Sequence, residues 1–407
     1  MNAIPKQHRW TLEAKELGTG TLSPEPYVSP AYFEQLRDKV YRRTWLCSGR
    51  RVDEIPKPGD YLVLELEMFR TSILFIRGKD SAVRGFHNTC MHRGNRLATQ
   101  ATGNCRGGLA CGFHGWGYSS DGRLASVPEE DMFFDFDRRR YDLAPVAVEL
   151  WQGFIFFHLN PHPPESLASH LGELAPMIEG YPFDRLPVRW SYTAELECGW
   201  GVLRDSQLEG YHLKYLHRRT VPGTMVNNRD NPSRHVLDVR FFGRHAIGSF
   251  YGNRQDHRPA PVEDIATRFG NTLGQTAAHV SDVSRWPAGV NPSRAEDWFF
   301  DVCYIFPNFH LVFLGEFLYA AHTMWPVEPG RAVWNARGYL PAPRNAAEQF
   351  NREYAKCSVR DLWLEDGSTL EASQRGLASG ILKELPLQDQ ELLIRHAQKC
   401  VDEMIAA

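Results

Sequence analysis

The chain has 407 residues, of which 43% are hydrophobic, and a formal net charge of −3 at pH 7. This length exceeds the size at which a single core usually stops growing, so we expect two domains. A charge so close to neutral argues against nucleic acid or an anionic membrane as a partner.

The first residues lack the apolar stretch of a secretion signal, and no apolar run could span a bilayer. We therefore expect a soluble, cytoplasmic protein that does not bind membranes. Eight cysteines scattered over the chain do not form a disulfide framework. In a reducing compartment they are free to bind metal.

The predicted elements change character along the chain. Ser29 followed by Pro30 predicts a helix start. Residues 45–160 consist of short alternating runs and turn sequences, which indicate a compact β domain. The sequence NPHPPES at residues 160–166 marks the predicted boundary. Further strand-like runs follow, and a terminal helix is expected to bury Leu393, Ala397, Cys400 and Met404. This order favours an α+β second domain built on an antiparallel sheet.

The stretch CMHRGNRLATQATGNCRGGLACGFHGW contains the first candidate metal site. One loop supplies Cys90 and His92, and a second loop supplies Cys111 and His114. A zinc finger groups cysteine with cysteine and histidine with histidine. The mixed order instead favours a two-iron cluster in which thiolates hold one iron and imidazoles the other. Cys105 lies outside this set of ligands and is expected to be a buried or spare thiol.

The stretch RDSQLEGYHLKYLHRRTVPG contains the second candidate site. His212 and His217 are five residues apart, about 140° on an ideal helix, so they meet on one metal only if the helix is widened or interrupted. Glu209 lies within about 60° of His212 and faces the same cavity. Asp205 is one turn further back. Two histidines and one carboxylate with open positions on the metal form the facial triad of Fe(II) oxygenases.

The third ligand must come from elsewhere, and the candidate stretch is SVRDLWLEDGSTLEASQRGL. Ser368 and Glu371 match a capping box, which predicts that a helix begins there. Asp366 would then lie just before the helix, followed by Gly367. Asp361 and Glu365 remain alternatives, because all three acids could face one cavity at helical spacing.

Taken together, these motifs resemble the Rieske non-haem iron aromatic-ring-hydroxylating oxygenases, large (alpha) subunit. The shared patterns are C-x-H-R-G from Cys90, C-x-x-H-G-W from Cys111, and acid-x-Tyr-His-x4-His from Glu209. The resemblance implies an all-β Rieske [2Fe-2S] domain at residues 45–160. It also implies a catalytic mononuclear iron domain of START or helix-grip type at 161–407, to which a helical segment at 1–44 belongs.

The resemblance also assigns roles to residues. Cys90, His92, Cys111 and His114 would bind the Rieske [2Fe-2S] cluster. His212, His217 and Asp366 would bind a mononuclear Fe(II), since Asp366 stands eight residues before Gln374 as in the family. Glu209 would be the acid that bridges to a Rieske histidine of the neighbouring subunit in a head-to-tail homotrimer. Arg204 and Asp205 depart from the family pattern, so the catalytic role of Asp205 stays open.

A terminal oxygenase of this kind would use O2 and electrons from NAD(P)H. The sequence has no G-x-G-x-x-G fingerprint, so the electrons are expected from a separate reductase, either directly or through a ferredoxin. Alternatives are an oxidative O- or N-demethylase of the same family, and a Rieske electron-transfer protein without oxygenase activity. Neither mono- against dioxygenation nor a small β subunit follows from the sequence.

The expected substrate is a hydrophobic aromatic or polycyclic molecule. Residues 295–330 contain no Lys or Arg and many aromatic residues. If these residues line the cavity, they favour a neutral apolar substrate. The alternative is that they form sheet core. His310 and His322 could orient a polar group of the substrate, or be structural histidines with all their hydrogen bonds made within the protein.

Overall fold

The computed structural model describes residues 9–220, 235–252, 259–268, 286–314 and 318–407. Contacts divide the chain into two compact units. One is continuous, residues 37–170, and the other joins the residues up to Leu36 to those from Leu171 onward. The sequence predicted that the β domain begins after residue 44 and ends at residue 160. Residues after 160 belong to the β unit because the Trp45 indole donates to the Glu165 carbonyl at 3.0 Å, and the Leu167 amide donates to Glu149 at 3.2 Å.

The continuous unit is built almost entirely of antiparallel strands. Its strands are β1 Leu46–Arg51, β2 Asp60–Leu66, β3 Thr71–Arg77, β4 Val83–His87, β5 Thr102–Asn104, β6 Gly108–Ala110, β7 Gly117–Ser119, β8 Leu124–Ser126, β9 Pro145–Trp151 and β10 Phe154–His158. Seven of them form a sheet in the order β1-β10-β9-β4-β3-β2-β5, and β6-β7-β8 form a second sheet. The apolar runs of β3 and β10 are buried within the larger sheet.

The discontinuous unit is built on a second antiparallel sheet. Its strands are β11 Val188–Leu196, β12 Val236–Phe242, β13 His245–Tyr251, β14 Trp298–Ile305, β15 Phe309–Phe313, β16 Tyr319–Glu328 and β17 Arg331–Leu340. The order is β11-β17-β16-β15-β14-β13-β12, so sequential strands from β12 to β17 are neighbours and β11 joins at the far edge. The predicted α+β class, with one all-β domain and one antiparallel sheet with helices, is confirmed.

The described helices are mostly short, with two exceptions. They are α1 Trp10–Glu13, α2 Glu25–Val28, α3 Pro30–Gln35, α4 Leu167–Leu171, α5 Leu174–Ile178, α6 Trp200–Ser206, α7 Leu213–Leu216, α8 Pro261–Arg268, α9 Ala346–Ala378 and α10 Leu392–Ala406. The predicted start at Ser29 is confirmed, because its hydroxyl accepts the Tyr32 amide at 3.2 Å. None of the helices in these ranges is long and apolar enough to cross a membrane.

Two packing features position the candidate sites. The long helix α9 packs against α2, α6, α8 and β11. Strands β14, β15 and β16 pair so that Val302 lies opposite Val312, and Val312 opposite Ala320. Directly opposite residues project from the same face of a sheet, so these side chains form one apolar row.

Candidate iron sites and substrate cavity

Two loops of the β unit hold the cysteines and histidines of the first motif. Cys90 and His92 follow β4, while Cys111 and His114 lie between β6 and β7. Both loops make the same turn, in which the amide of a glycine four residues after the cysteine donates to the cysteine carbonyl, at 2.9 Å for Gly94 and 3.0 Å for Gly115. Both glycines have positive φ, 75° and 73°, which favours glycine at this position. The repeated turn presents one thiol and one imidazole from each loop.

The four side chains are arranged for a cluster and not for a single ion. Both thiols are buried, and the rings of His92 and His114 lie 4.6 Å apart. The Nδ1 atom of His92 is buried without a hydrogen-bond partner. Among the described residues, however, only His212, His217 and Asp366 bring three ligand atoms within 4.8 Å of one another. One tetrahedral zinc would require such convergence here too, whereas a two-iron cluster separates its thiolate and imidazole ligands.

The surroundings of the two thiols differ. Burial raises the pKa of Cys90, whose sulfur lies 3.4 Å from the Tyr118 hydroxyl. Burial also acts on Cys111, but the amides of Phe113 and His114 and the Asn95 side chain outweigh it and lower the pKa of that thiol. Hydrogen bonds to sulfur favour the thiolate that iron requires. The residues present therefore fit a Rieske cluster.

The second site lies on the discontinuous unit, where the short helix α7 packs against the long helix α9. His212 directly precedes α7 and His217 directly follows it, so the interruption allowed by the sequence occurs as a four-residue helix. Asp366 projects from α9. His217 Nε2 lies 2.8 Å and His212 Nε2 3.5 Å from the same Asp366 oxygen.

These three ligand atoms have the geometry of a metal site. His217 Nε2 and Asp366 Oδ1 are both buried, yet neither makes a hydrogen bond although they are 2.8 Å apart. Buried polar atoms are rarely left without partners, so atoms pointing at one shared position indicate a ligand between them. Two imidazoles and one carboxylate are the set that holds non-haem Fe(II) with open positions. The residues present fit that ion.

Two further carboxylates orient the histidines. Glu209 accepts from His212 Nδ1 and from the backbone amides of Tyr211 and His212. Glu365 accepts from His217 Nδ1 at 3.0 Å and from the Thr220 hydroxyl at 2.6 Å. Each bond places the proton on Nδ1 and leaves the Nε2 lone pair for a metal. Burial opposes protonation of His212, but the bond to Glu209 outweighs it and raises the pKa of that imidazole.

The other acids of the sequence prediction have different positions. Asp361 is half exposed and pairs with Arg360 at 2.6 Å. Asp205 does not line the cavity, since it accepts from the Tyr27 hydroxyl and from Arg204, both at 2.6 Å. Arg204 is fully buried, so this pair forms a network behind the site.

The predicted helix start at Ser368 is wrong. Helix α9 runs without a break from Ala346 to Ala378, and its N-cap is Asn345, whose side chain accepts the Glu348 amide at 2.9 Å. Glu371 instead accepts the Glu197 amide at 3.1 Å. The capping-box pattern lies inside a helix here, because packing along this 33-residue helix stabilises it by more than one glycine destabilises it. Asp366 thus acts from a rigid helix and not from a loop.

A cavity of about 160 Å³ opens beside the second site. Its walls are mostly apolar, and apart from the consecutive Phe299 and Phe300 the wall residues of the sheet are two positions apart, as the period of a strand requires. The members from the sheet are Phe299, Phe300, Val302, Val312, Leu314, Ala320 and His322, and those from α9 include Leu362 and Trp363. The stretch 295–330 therefore provides both cavity wall and sheet core. No Lys or Arg is among the described cavity residues.

Sequence reasoning missed three residues at this site. Glu365 was considered as an iron ligand but orients His217, and Thr220 was not singled out. Trp363 lies one turn before Asp366 on α9 and borders the cavity. Helical spacing from Asp366 could have identified Trp363, but nothing in the sequence pairs residue 365 with residue 217.

Comparisons with known proteins match both units. The family described as Rieske [2Fe-2S] domain matches residues 44–138, and the family described as ring hydroxylating alpha subunit (catalytic domain) matches residues 183–407. The glycine betaine monooxygenase oxygenase subunit of Pseudomonas aeruginosa is 33% identical over 195 residues, which cover 48% of this chain and 44% of the relative. The biphenyl 2,3-dioxygenase subunit alpha of Rhodococcus jostii is 32% identical over 197 residues, 44% of this chain and 41% of the relative.

A solved structure shares the fold over nearly the whole chain. The structure of a quaternary ammonium Rieske monooxygenase of carnitine oxidation superposes with a TM-score of 0.75 at 19% identity, covering 94% of this chain and 95% of that one. At this identity the likeness shows the fold alone. The sequence matches to the curated relatives span about half of their length.

Proposed function

Because this chain belongs to the ring-hydroxylating alpha-subunit family and carries a Rieske [2Fe-2S] domain, we propose that it is the terminal oxygenase of a Rieske non-haem iron system. This membership confirms the predicted cofactors, which are one Rieske cluster and one mononuclear iron per chain. When bound, the mononuclear iron would activate O2 with electrons from the cluster. The observation that carries the proposal is the convergence of His212, His217 and Asp366 beside a cavity.

The protein side chains would do three things in this reaction. His212, His217 and Asp366 would hold the iron on one side and leave positions facing the cavity. Glu209 and Glu365 would fix the histidine tautomers through their bonds to Nδ1. The apolar cavity wall would exclude water and hold the substrate C–H bond near the iron.

Glu209 would also connect the two metal sites of neighbouring subunits. Its carboxylate already contacts His212. Exposed aromatic side chains occur close in sequence to both candidate sites: Phe113 and Phe134 near the cluster loops, and Tyr211 and Tyr215 near His212. Aromatic side chains of this kind are suited to a protein contact. We propose a head-to-tail homotrimer in which Glu209 reaches a cluster histidine of the adjacent subunit.

The proposed substrate is a hydrophobic aromatic or polycyclic molecule that is hydroxylated. An apolar cavity without a described Lys or Arg suits a neutral ring system better than a carboxylate. Electrons would come from NAD(P)H through a separate reductase, with or without a ferredoxin.

Oxidative N-demethylation is the second candidate. The Glu263 carboxylate and the Trp363 ring both border the cavity, and a carboxylate with an aromatic face suits a methylated ammonium group. A glycine betaine monooxygenase subunit is among the relatives. Glycine betaine also carries a carboxylate, for which the described cavity offers no cationic partner. A methylated ammonium without a carboxylate would fit better.

A substrate panel with a surrogate reductase tests both candidates. O2 consumption and product mass are followed for polycyclic hydrocarbons and for methylated amines. A product heavier by one or two oxygen atoms supports hydroxylation, while formaldehyde release supports demethylation. Iron content tests the electron-carrier alternative, because an oxygenase should hold about three irons per chain and a carrier about two.

A further inference from the structure

Two histidines lie side by side on the sheet face that borders the cavity. His310 on β15 is directly opposite His322 on β16, and Tyr304 on β14 is opposite His310. Their side chains therefore form a row across three strands. His322 lines the cavity, whereas His310 lies behind it with its ring 5.1 Å from the ring of Tyr304.

The ring nitrogens of both histidines lack partners. Each side chain is 1% exposed, and neither Nδ1 nor Nε2 of either ring makes a hydrogen bond. Among the buried side chains that the structure describes, only these two have two unsatisfied polar atoms each. The interpretation that they are satisfied structural histidines is therefore wrong. Leaving such atoms unpaired is costly, which indicates that something outside the chain satisfies them.

The position of His322 limits what could satisfy it. The rings of Trp334 and Trp363 flank it, with centroids at 5.5 and 5.1 Å, and hold the imidazole in place. Its same-face neighbours at the cavity include Ala320 and Val312, which cannot form hydrogen bonds through their side chains. The neighbours of the imidazole along these two strands are therefore apolar.

Because both histidines are uncharged, they favour an uncharged hydrogen-bonding partner. Burial lowers the pKa of His322 to about 3 and that of His310 well below its usual range, so both are neutral near pH 7. A neutral imidazole offers one donor and one acceptor. It can bond a carbonyl, ether or hydroxyl oxygen, but it cannot clamp a carboxylate as Arg or Lys would.

We propose that His322 is a hydrogen-bonding subsite that receives one uncharged oxygen group of an otherwise apolar substrate. This inference rests on the proposed function and makes it more specific. The substrate would be an oxygen-bearing aromatic or polycyclic molecule and not a plain hydrocarbon. The oxygen group would fix which carbon of the substrate faces the iron ligands.

Binding of two matched probes tests the subsite without turnover. Indane and 1-indanone share a bicyclic carbon frame and differ by one carbonyl oxygen. Each is titrated calorimetrically into oxidised holoenzyme in the absence of reductase. We expect 1-indanone to bind about tenfold more tightly than indane, the factor that one neutral hydrogen bond supplies.

Three variants separate a subsite from a structural role. His322→Phe should abolish the preference for 1-indanone while indane still binds, and His322→Gln should restore part of it. His396→Phe removes another buried histidine of the same unit that does not line the cavity, so it should keep the preference. Melting temperature and cluster absorbance verify that each variant is folded.

The possible failures are distinguishable. Equal binding of indane and 1-indanone by the native protein, or a preference that survives His322→Phe, would overturn the subsite while the proposed function stands. Binding of neither probe would contradict the apolar cavity and the subsite together. A drop in binding of both probes on His322→Phe would show that the residue only shapes the cavity.

Discussion

Asp361, Glu365 and Asp366 lie close together on one helix, yet each has a different partner. Asp361 pairs with Arg360 near the surface, Glu365 accepts from His217 Nδ1, and Asp366 faces the Nε2 atoms of both histidines. Helical spacing limited the proposed third ligand to these three acids, and the family resemblance favoured Asp366. Spacing alone could not select among them, because the choice depends on where α7 lies against α9.

Iron content should distinguish these acids. We expect Asp366→Asn to lower iron from about three to about two per chain, because a neutral amide replaces the only carboxylate of the proposed triad. Asp361→Asn is the matched control and should keep all of its iron. Cluster absorbance should stay unchanged in both. Full iron content in Asp366→Asn would contradict the assignment.

His396 gives the free energy of unfolding a pH dependence. Burial of this α10 side chain, whose ring packs on Phe241, lowers its pKa from 6.5 to about 4. Between these values the unfolded chain binds more protons than the folded one, so stability is lost as the pH falls from 6.5 towards 4. In His396→Phe this loss should be smaller. Urea denaturation at pH 7 and pH 5 would measure it, and parallel pH profiles of the two proteins would refute the assignment.

At the scale of the element, α9 differs most from its prediction. Glycine is among the poorest helix formers, so Asp366-Gly367-Ser368 suggested a boundary. The structure continues the helix through Gly367, and a Cβ there would meet no atom within 4 Å. The length of the helix and its packing against α6 and β11 stabilise it through this position. Neither can be read from a short sequence pattern.

Gly367→Ala should therefore stabilise the protein by about 0.5–1 kcal/mol, because alanine loses less backbone entropy in a helix. Gly376→Ala, also inside α9 and open around its Cβ, should act in the same direction. Denaturant melts of both variants measure the effect. Destabilisation by Gly367→Ala alone would indicate that α9 does not continue through this position.

The strands illustrate what a period can predict. The strand-like runs in residues 295–330 predicted part of an antiparallel sheet, and the motif of one cysteine and one histidine per loop predicted the cluster loops. Which face would border a cavity was not determined, since it depends on the helices that cover it. The missing partners of His310 and His322 likewise become visible only when both strands and α9 are placed.

At the scale of the whole molecule, both the class and the two cofactors followed from the sequence. Short motifs at fixed spacing predicted the class and the cofactors, because each kind of metal site uses only a few arrangements of cysteine, histidine and carboxylate ligands. The substrate was less determined, since cavity walls are assembled from β14, β15, β16 and α9.

Mixed oligomers test the proposed route of electrons between subunits. We expect His92→Ala, which lacks a functional cluster, and His212→Ala, which lacks the mononuclear iron, to be inactive alone. Co-expressed as differently tagged chains and purified through both tags, they should regain substrate-dependent O2 consumption, because one chain supplies the cluster and its neighbour the iron. Adding Glu209→Gln to the His92→Ala chain, which keeps its mononuclear iron, should remove that recovery. No activity in the doubly purified oligomer would contradict the route.

Residues from widely separated parts of the sequence build the iron-binding unit. The Trp10 amide donates to Asp389 at 2.9 Å, Leu22 forms a β-bridge with Leu385, and the Tyr27 hydroxyl donates to Asp205. A ribosome releases residues 37–170 as one continuous stretch, which can fold while synthesis proceeds. Residues 9–36 must wait, tethered to that folded stretch, until the region around Asp389 emerges. If translation stopped early, residues 37–170 could therefore fold, but the iron-binding unit would lack its C-terminal residues and could not.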